Sequence, residues 1–157
     1  AFKTLSLKAT RGTFRWISGK SSSSAYKINT PFGTLGIRGT AVDFYIGAGT
    51  ASVIILEGRA VFCGNNGVCK PLTRGCDMVT ANRNGVIGES RKPAKTAVAG
   101  VGNDVSFPFL VGTRKLSQPF RVGGGKCGLS ATVRVIDEKT GGGGGGGGSG
   151  GSNDNGP

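Results

Sequence analysis

Residues 28–63 read INTPFGTLGIRGTAVDFYIGAGTASVIILEGRAVFC, and the pattern of apolar residues in this stretch decides the fold. Its first half alternates apolar residues with polar residues or glycine, which is the two-residue period of a half-buried β-strand. The alternating apolar positions are Leu35, Ile37, Val42, Phe44 and Ile46. Residues 52–56 are apolar throughout after Ser52, which indicates a strand buried on both faces, and residues 60–63 predict the next strand. The stretch therefore predicts consecutive β-strands separated by glycines.

The same organisation extends to both sides of this stretch. Val, Ile, Thr and Phe recur in short runs that glycine interrupts, and no long run has a helical period. Residues 69–72 are predicted to pair back on residues 60–63 as a hairpin, and Asn84-Gly85 predicts a tight turn after a strand at 78–81. Residues 107–111 are apolar and contain a proline, which favours an edge strand or a docking segment. The predicted fold class is all-β: a glycine-rich sandwich or a solenoid-like domain of short strands.

The end of the chain has a different composition. Residues 141–148 are eight consecutive glycines, and such a run has no side chains to bury and a large entropy cost if ordered. We therefore predict a β domain at residues 1–88, a C-terminal β extension docked on it at 89–140, and a flexible glycine-rich tail at 141–157. The foldable part is long enough for one hydrophobic core but not for two.

The charge of the chain is strongly basic. Lysine and arginine number 20 against 8 aspartate and glutamate residues, which gives a net charge of +12. Such a surface attracts polyanions, and the alternative is that the charge keeps a β-rich protein soluble and discourages edge pairing. No nucleic-acid motif accompanies it, so no specific nucleic-acid partner is predicted. The candidates for contact with an anionic partner all precede the first acidic residue: Lys3, Lys8, Arg11, Arg15, Lys20 and Lys27.

Histidine is absent from the sequence, so the usual acid–base group near neutral pH and the commonest metal ligand are both missing. Lys20 beside the serines at 21–24 lies in a predicted loop, which disfavours a Ser–Lys centre. Asp43 and Glu57 alternate with core residues and lie near Arg38 or Arg59, which favours structural charges over a glycosidase pair. We therefore predict a non-enzymatic protein with no catalytic residue, no metal site and no cofactor.

The four cysteines are Cys63, Cys69, Cys76 and Cys127. An even number in a glycine-rich β protein is typical of an oxidising compartment, and the spacing lacks the C-x-x-C of a structural zinc site. Three pairings are possible; we favour Cys63 with Cys69, closing the turn at 64–67, and Cys76 with Cys127. The second bridge would close a loop of about fifty residues and stabilise the fold by roughly 3–4 kcal/mol.

No apolar run approaches the length that spans a membrane. Together with the disulfides, this favours an extracellular, cell-surface or periplasmic location in a bacterium.

Three groups of residues in the central stretch share an order and spacing with a known family. Thr30-Pro31-Phe32-Gly33 is followed by Arg38-Gly39-Thr40 and Phe44, and then by the strand at 53–61. Over about residues 10–87 the chain resembles the FecR domain. The structural motif residues of this resemblance are Pro31, Gly33, Gly36, Arg38, Gly39, Thr40, Phe44 and Gly58.

The resemblance implies a β-rich extracytoplasmic domain without catalytic residues. The best-known members are periplasmic regions of anti-sigma regulators that sense an outer-membrane receptor, and many others are small secreted proteins. The family's domain begins upstream of the point that matches Ala1, so the domain here is expected to be N-terminally incomplete. The glycines are expected to allow tight turns or close approach of strands. Arg38 is expected to brace the sheet by pairing with Asp43 or Glu57, with ligand binding as the alternative.

Two functions from different classes follow. The first is a structural subunit that self-assembles outside the cell into a homo-oligomer or filament, because an incomplete β domain exposes an edge that another subunit's strand can fill. The second is a periplasmic sensing or ligand-binding module that recognises an acidic partner or an envelope polymer through its basic N-terminal third.

Overall fold

The computed structural model describes residues 4–18, 25–112, 115–123 and 125–130, and it is built mainly of strands. The strands are β1 Thr4–Lys8, β2 Gly12–Ile17, β3 Ala25–Thr30, β4 Gly33–Ile46, β5 Ala51–Gly64, β6 Cys69–Leu72, β7 Met78–Asn82 and β8 Gly85–Ser90. Two helices of one turn, α1 Asn103–Ser106 and α2 Pro108–Val111, and a 3-10 turn at Gln118–Phe120 follow. The predicted all-β class is confirmed.

The β4–β5 hairpin organises the sheet. Each of these strands is fourteen residues long, and each pairs with two shorter strands along its outer edge. The first half-sheet has the order β1, β3, start of β4, end of β5, β6, and the second has the order β2, end of β4, start of β5, β7, β8. Strand β1 runs parallel to β3, whereas the other pairs are antiparallel. The runs at 52–56 and 60–63, predicted as separate strands, are therefore one strand.

A glycine-rich corner divides the hairpin into these halves. The register between β4 and β5 shifts between Arg38 and Ala41. Gly39 and Gly58 have φ values of +57° and +80°, and a Cβ on Gly58 would collide with the Gly39 carbonyl. The buried Thr40 hydroxyl lies 2.7 Å from the Arg38 carbonyl oxygen and 2.8 Å from the Arg59 carbonyl oxygen, so its single proton is shared between these two carbonyls at the corner.

The corner folds the sheet back on itself. Asn65, at the end of β5, donates from Nδ2 to the Pro31 carbonyl of the first half (2.9 Å) and to the Arg83 carbonyl of the second half (3.4 Å). One apolar core joins the halves, with residues such as Leu35 and Phe62 from the first and residues such as Phe44 and Val53 from the second. The eight described strands therefore form one mixed sheet whose two halves share a core.

A second apolar cluster covers the outer face of the second half-sheet. Ile54 and Met78 of the sheet pack there against Phe107, Leu110 and other residues of the C-terminal segment. This cover explains why residues 51–55 are buried, as the continuous apolar run predicts. Residues 107–111 are thus a docking segment that is mostly helical, not an edge strand. Where described, residues beyond Ser90 contain short helices and turns with one isolated bridge, and residues 131–140 of the predicted β extension lie outside the described residues.

Two disulfides hold these parts together, in the pairing that the sequence favours. Cys63 and Cys69 link β5 to β6 with a Cα–Cα distance of 3.9 Å. Cys76 and Cys127, 5.3 Å apart at Cα, tie the C-terminal segment to the loop before β7. The predicted tail at 141–157, and Lys3 and Lys20 among the basic candidates, lie outside the described residues.

No helix among the described residues is both long enough and apolar enough to cross a membrane.

Candidate anion-binding face

The outer surface of the first half-sheet gathers basic side chains. Because residues directly opposite each other in a sheet share a face, the register places Lys27 beside Gly36 and Val61, and Arg38 beside Arg59. These positions alternate with the buried Ile37 and Ala60, whose side chains face the core. We call the outward residues the outer basic face, defined by Lys8, Lys27, Gly36, Arg38, Arg59 and Val61.

Strand β1 extends this face by one strand. Lys8 lies opposite Asn29 in the parallel β1–β3 pair, and it is exposed. Asn29 also lies on the outer surface, where its side-chain oxygen accepts a 3.1 Å hydrogen bond from the Thr34 hydroxyl. Neighbouring strands are about 4.8 Å apart, so the four basic residues fall within a patch about 15 Å wide across β1, β3, β4 and β5.

Arg38 and Arg59 form a like-charge pair in the middle of the sheet. They are cross-strand partners, and both are exposed. Directly opposite side chains in an antiparallel pair have Cβ atoms about 5 Å apart, and like charges at that distance destabilise the sheet. Arginine side chains in neighbouring positions can bind one anionic group together through charge-assisted hydrogen bonds.

A shallow groove of about 340 Å³ runs across the same surface. Its floor is largely apolar, and its basic lining residues are Lys27, Arg38 and Arg59. The remaining lining residues are Ala25, Tyr26, Gly36, Ile37, Ala60 and Val61. The groove can therefore hold an extended chain whose anionic groups reach the cations.

Gly36 keeps the groove open, and the packing of the sheet does not require it. A Cβ on Gly36 would meet only the Val61 carbonyl oxygen, at an ordinary 3.8 Å. At Gly33, by contrast, a Cβ would collide with the Cys63 carbonyl and the Phe62 ring, and φ is +148°. Close packing in the fold thus explains why position 33 is a glycine, whereas at position 36 the absence of a side chain leaves the groove open.

The sequence-based candidates fall into separate places. Lys8 and Lys27 lie on the outer basic face, and Arg38 joins them there. Arg11 is exposed in the loop before β2. Arg15 was wrongly placed among the residues available to an anionic partner, because its side chain is 5% exposed and is paired with Asp43.

The pairing of Asp43 corrects one expectation. Its partner is Arg15 and not Arg38, because Asp43 and Arg15 are directly opposite on β4 and β2. Burial raises the pKa of Asp43 above its ordinary value, and the Arg15 guanidinium works against this rise. Arg15 engages both carboxylate oxygens of Asp43, which is the structural role that the sequence favours for this residue.

Other acidic residues also have structural partners. Asp77 accepts backbone N–H bonds from Thr73 and Arg74, each 3.0 Å, and Glu89 pairs with Lys70. Within the described ranges, no three Cys, Asp or Glu residues are grouped so that they could hold a metal ion.

Arg59 is the basic residue of this face that sequence reasoning placed near Asp43 and Glu57 but did not assign to a binding site. Arg59 follows Gly58, and the sequence around it does not indicate which residue lies opposite it on the neighbouring strand. Only the register of the bent hairpin shows that Arg59 stands opposite Arg38. The available signal was that both arginines flank a glycine of the motif, Gly39 or Gly58.

The comparisons with known proteins give limited information. No family model matches the sequence, and no curated protein matches it either. Two solved structures, at 1.65 Å and 2.50 Å resolution, are described as a "putative anti-sigma factor" from Parabacteroides distasonis. Each has a TM-score of 0.46 and 11% sequence identity, and the match covers 54% of this chain and 41% of that chain. No inference about function is drawn from a similarity at that level.

Proposed function

We propose that this protein is a non-enzymatic binding module that works outside the cytoplasm of a bacterium and recognises an anionic polysaccharide of the cell envelope through the outer basic face. The observation that carries the proposal is the Arg38–Arg59 pair beside the open groove at Gly36. The arrangement concentrates positive charge beside the groove, and a bound chain of negative charges complements it.

The two disulfides support a location outside the cytoplasm, because such bonds persist in oxidising surroundings. The compartment favours an envelope polymer over nucleic acid as the polyanion.

The proposal is tested by titrating the oxidised protein with polygalacturonate, a carboxylate polysaccharide, in low and moderate salt. We expect binding that weakens as salt rises, because counterions compete for the cations. The double variant Lys27→Ala/Arg59→Ala should weaken binding about tenfold or more, or ~1.4 kcal/mol.

Arg83→Ala/Lys115→Ala is the matched control. It removes the same number of positive charges from exposed residues in the β7–β8 turn and the C-terminal segment. Equal losses of affinity in the two double variants would show that only net charge matters and would refute a specific face. If the protein bound duplex DNA as tightly as polygalacturonate, and if the two double variants changed both affinities alike, nucleic acid and not a polysaccharide would be the indicated partner.

A further inference from the structure

The outer edge of β1 is open in the described residues. Strand β1 ends the strand order of the first half-sheet and pairs only with β3 there. The backbone groups of a strand point alternately to its two sides. Ala9 donates its N–H to the Asn29 carbonyl at 2.9 Å, so residues 5 and 7 also face β3, while the groups of Ser6 and Lys8 point to the open edge.

Two apolar side chains accompany this open edge. Leu5 and Leu7 lie opposite Tyr26 and Ile28, so they are on the core side of the sheet, yet they are 46% and 41% exposed. The first half-sheet has β3 and β1 beyond β4, whereas the second has only β2 there. Strand β1 therefore extends beyond the edge of the second half-sheet. Among the described residues, no strand of the second half covers the core side of β1.

The sequence of β1 is complementary to itself in one antiparallel register. Pairing centred on Ser6 places Leu5 of one copy opposite Leu7 of the other, on the core side. It places Lys8 opposite Thr4, so no like charges are opposed. The outward backbone groups at positions 4, 6 and 8 then fall in the hydrogen-bonded pairs of the ladder, giving about six new backbone hydrogen bonds.

From these relationships we infer that two copies of this chain pair antiparallel through β1, about a two-fold axis at Ser6. The contact is isologous and closes after two copies, so by itself it makes a dimer and not a filament. The inference does not depend on the proposed anionic ligand, because the groups that carry it are the β1 backbone, Leu5 and Leu7.

The pairing also has a consequence for the outer basic face. A two-fold axis perpendicular to a sheet keeps the same face of both copies on the same side. The two basic faces would then lie side by side on one continuous surface, so that a sufficiently long polyanion contacts both copies at once.

Sedimentation equilibrium of the full oxidised chain without ligand tests the inference. We expect a concentration-dependent dimer of the 15.8 kDa chain, favoured by added salt because both copies are strongly positive. This salt dependence is opposite to that expected for polyanion binding, so failure of either proposal is distinguishable from failure of the other.

Ser6→Pro and Leu7→Lys are the two informative variants. The proline removes an N–H that faces the open edge and leaves the β1–β3 ladder intact, and the lysine removes the apolar contact. Each should raise the dimer dissociation constant about tenfold or more. Ile87→Lys is the control, because Ile87 is 56% exposed on β8, an outermost strand of the second half-sheet. Melting curves of the variants check that they fold.

Disulfide crosslinking tests the register of the proposed β1–β1 pairing. Partners in a hydrogen-bonded antiparallel pair are about 5.5 Å apart at Cα, within the range of a disulfide. Ser6→Cys should form a covalent dimer on mild oxidation, faster than Ser117→Cys, an exposed control position. A monomer at all concentrations, or a dimer that survives both β1 variants and is lost with Ile87→Lys, would overturn the inference.

Discussion

Arg15 and Asp43 form a two-point ion pair in the interior of the protein. Arg15 Nε donates to Asp43 Oδ1 at 2.6 Å, and Nη2 donates to Oδ2 at 2.8 Å. The remaining Nη1 donates to the Phe120 carbonyl at 3.0 Å, and the guanidinium lies 5.8 Å from the centre of the Phe109 ring. One arginine thus joins β2, β4 and the C-terminal segment.

Loss of one partner of this pair should be costly. Arg15→Met leaves a buried carboxylate without its counter-charge, and we expect the free energy of unfolding at neutral pH to fall by about 3–5 kcal/mol. Arg15→Met/Asp43→Leu removes both charges and should recover most of that loss. Urea unfolding of the three proteins measures this, and a double variant no more stable than Arg15→Met would contradict the account.

The raised pKa of Asp43 predicts a specific pH dependence. Because its folded pKa lies above its unfolded pKa, the folded state binds the proton more tightly. The contribution of Asp43 to stability is therefore greatest below its unfolded pKa of about 4, and it decreases as pH rises through the folded pKa. The stability difference between the wild type and Asp43→Asn should shift towards the wild type as pH falls from 7 to 4. A shift in the opposite direction would show that the Arg15 interaction outweighs burial.

Two glycines of the motif should respond differently to alanine. Gly58→Ala places a Cβ against the Gly39 carbonyl at a positive φ, and should cost ~2 kcal/mol or more. Gly36→Ala meets no obstacle and should be neutral or stabilise by up to ~1 kcal/mol, because glycine in a strand is unfavourable. Thermal unfolding compares the variants, and equal destabilisation would refute the assignment of Gly36 to the groove.

The two disulfides should contribute unequally. The Cys76–Cys127 bridge spans 51 residues and the Cys63–Cys69 bridge spans 6. Loop-closure entropy predicts losses of about 4 and about 2 kcal/mol when each pair is replaced by serines. Hydrogen exchange should also show lost protection in α1 and α2 for the first variant only, since that bridge ties the C-terminal segment to the sheet.

Local pattern predicted the strands because a half-buried strand repeats every two residues, as Leu35 and Ile37 do. The continuous burial of residues 51–55 and the hairpin formed by Cys69–Leu72 follow from the same logic. Docking of residues 107–111 was one of two predicted alternatives, but the helical form of residues 103–111 was missed, because helices of a single turn are too short to show a period.

The candidate face was only partly predictable, for a reason of geometry. Lys8 and Lys27 were identified by charge alone, but charge could not separate them from Arg15, which is buried. That distinction depends on the strand opposite Arg15, and Asp43 is 28 positions away in sequence. The Arg38–Arg59 pair likewise depends on the shift in register at the glycine corner, which no local pattern reveals.

An NMR titration of the nitrogen-15-labelled, oxidised protein with polygalacturonate oligosaccharides tests the central proposal most directly. The account predicts shifts concentrated in the backbone amides around Lys27, Gly36, Arg38 and Arg59, with little change in the β7–β8 turn at Arg83. It also predicts that Gly36→Val, which fills the groove without disturbing the sheet, abolishes most of these shifts. Shifts spread over all basic surfaces, or concentrated away from β3, β4 and β5, would contradict the assignment of the outer basic face as the binding site.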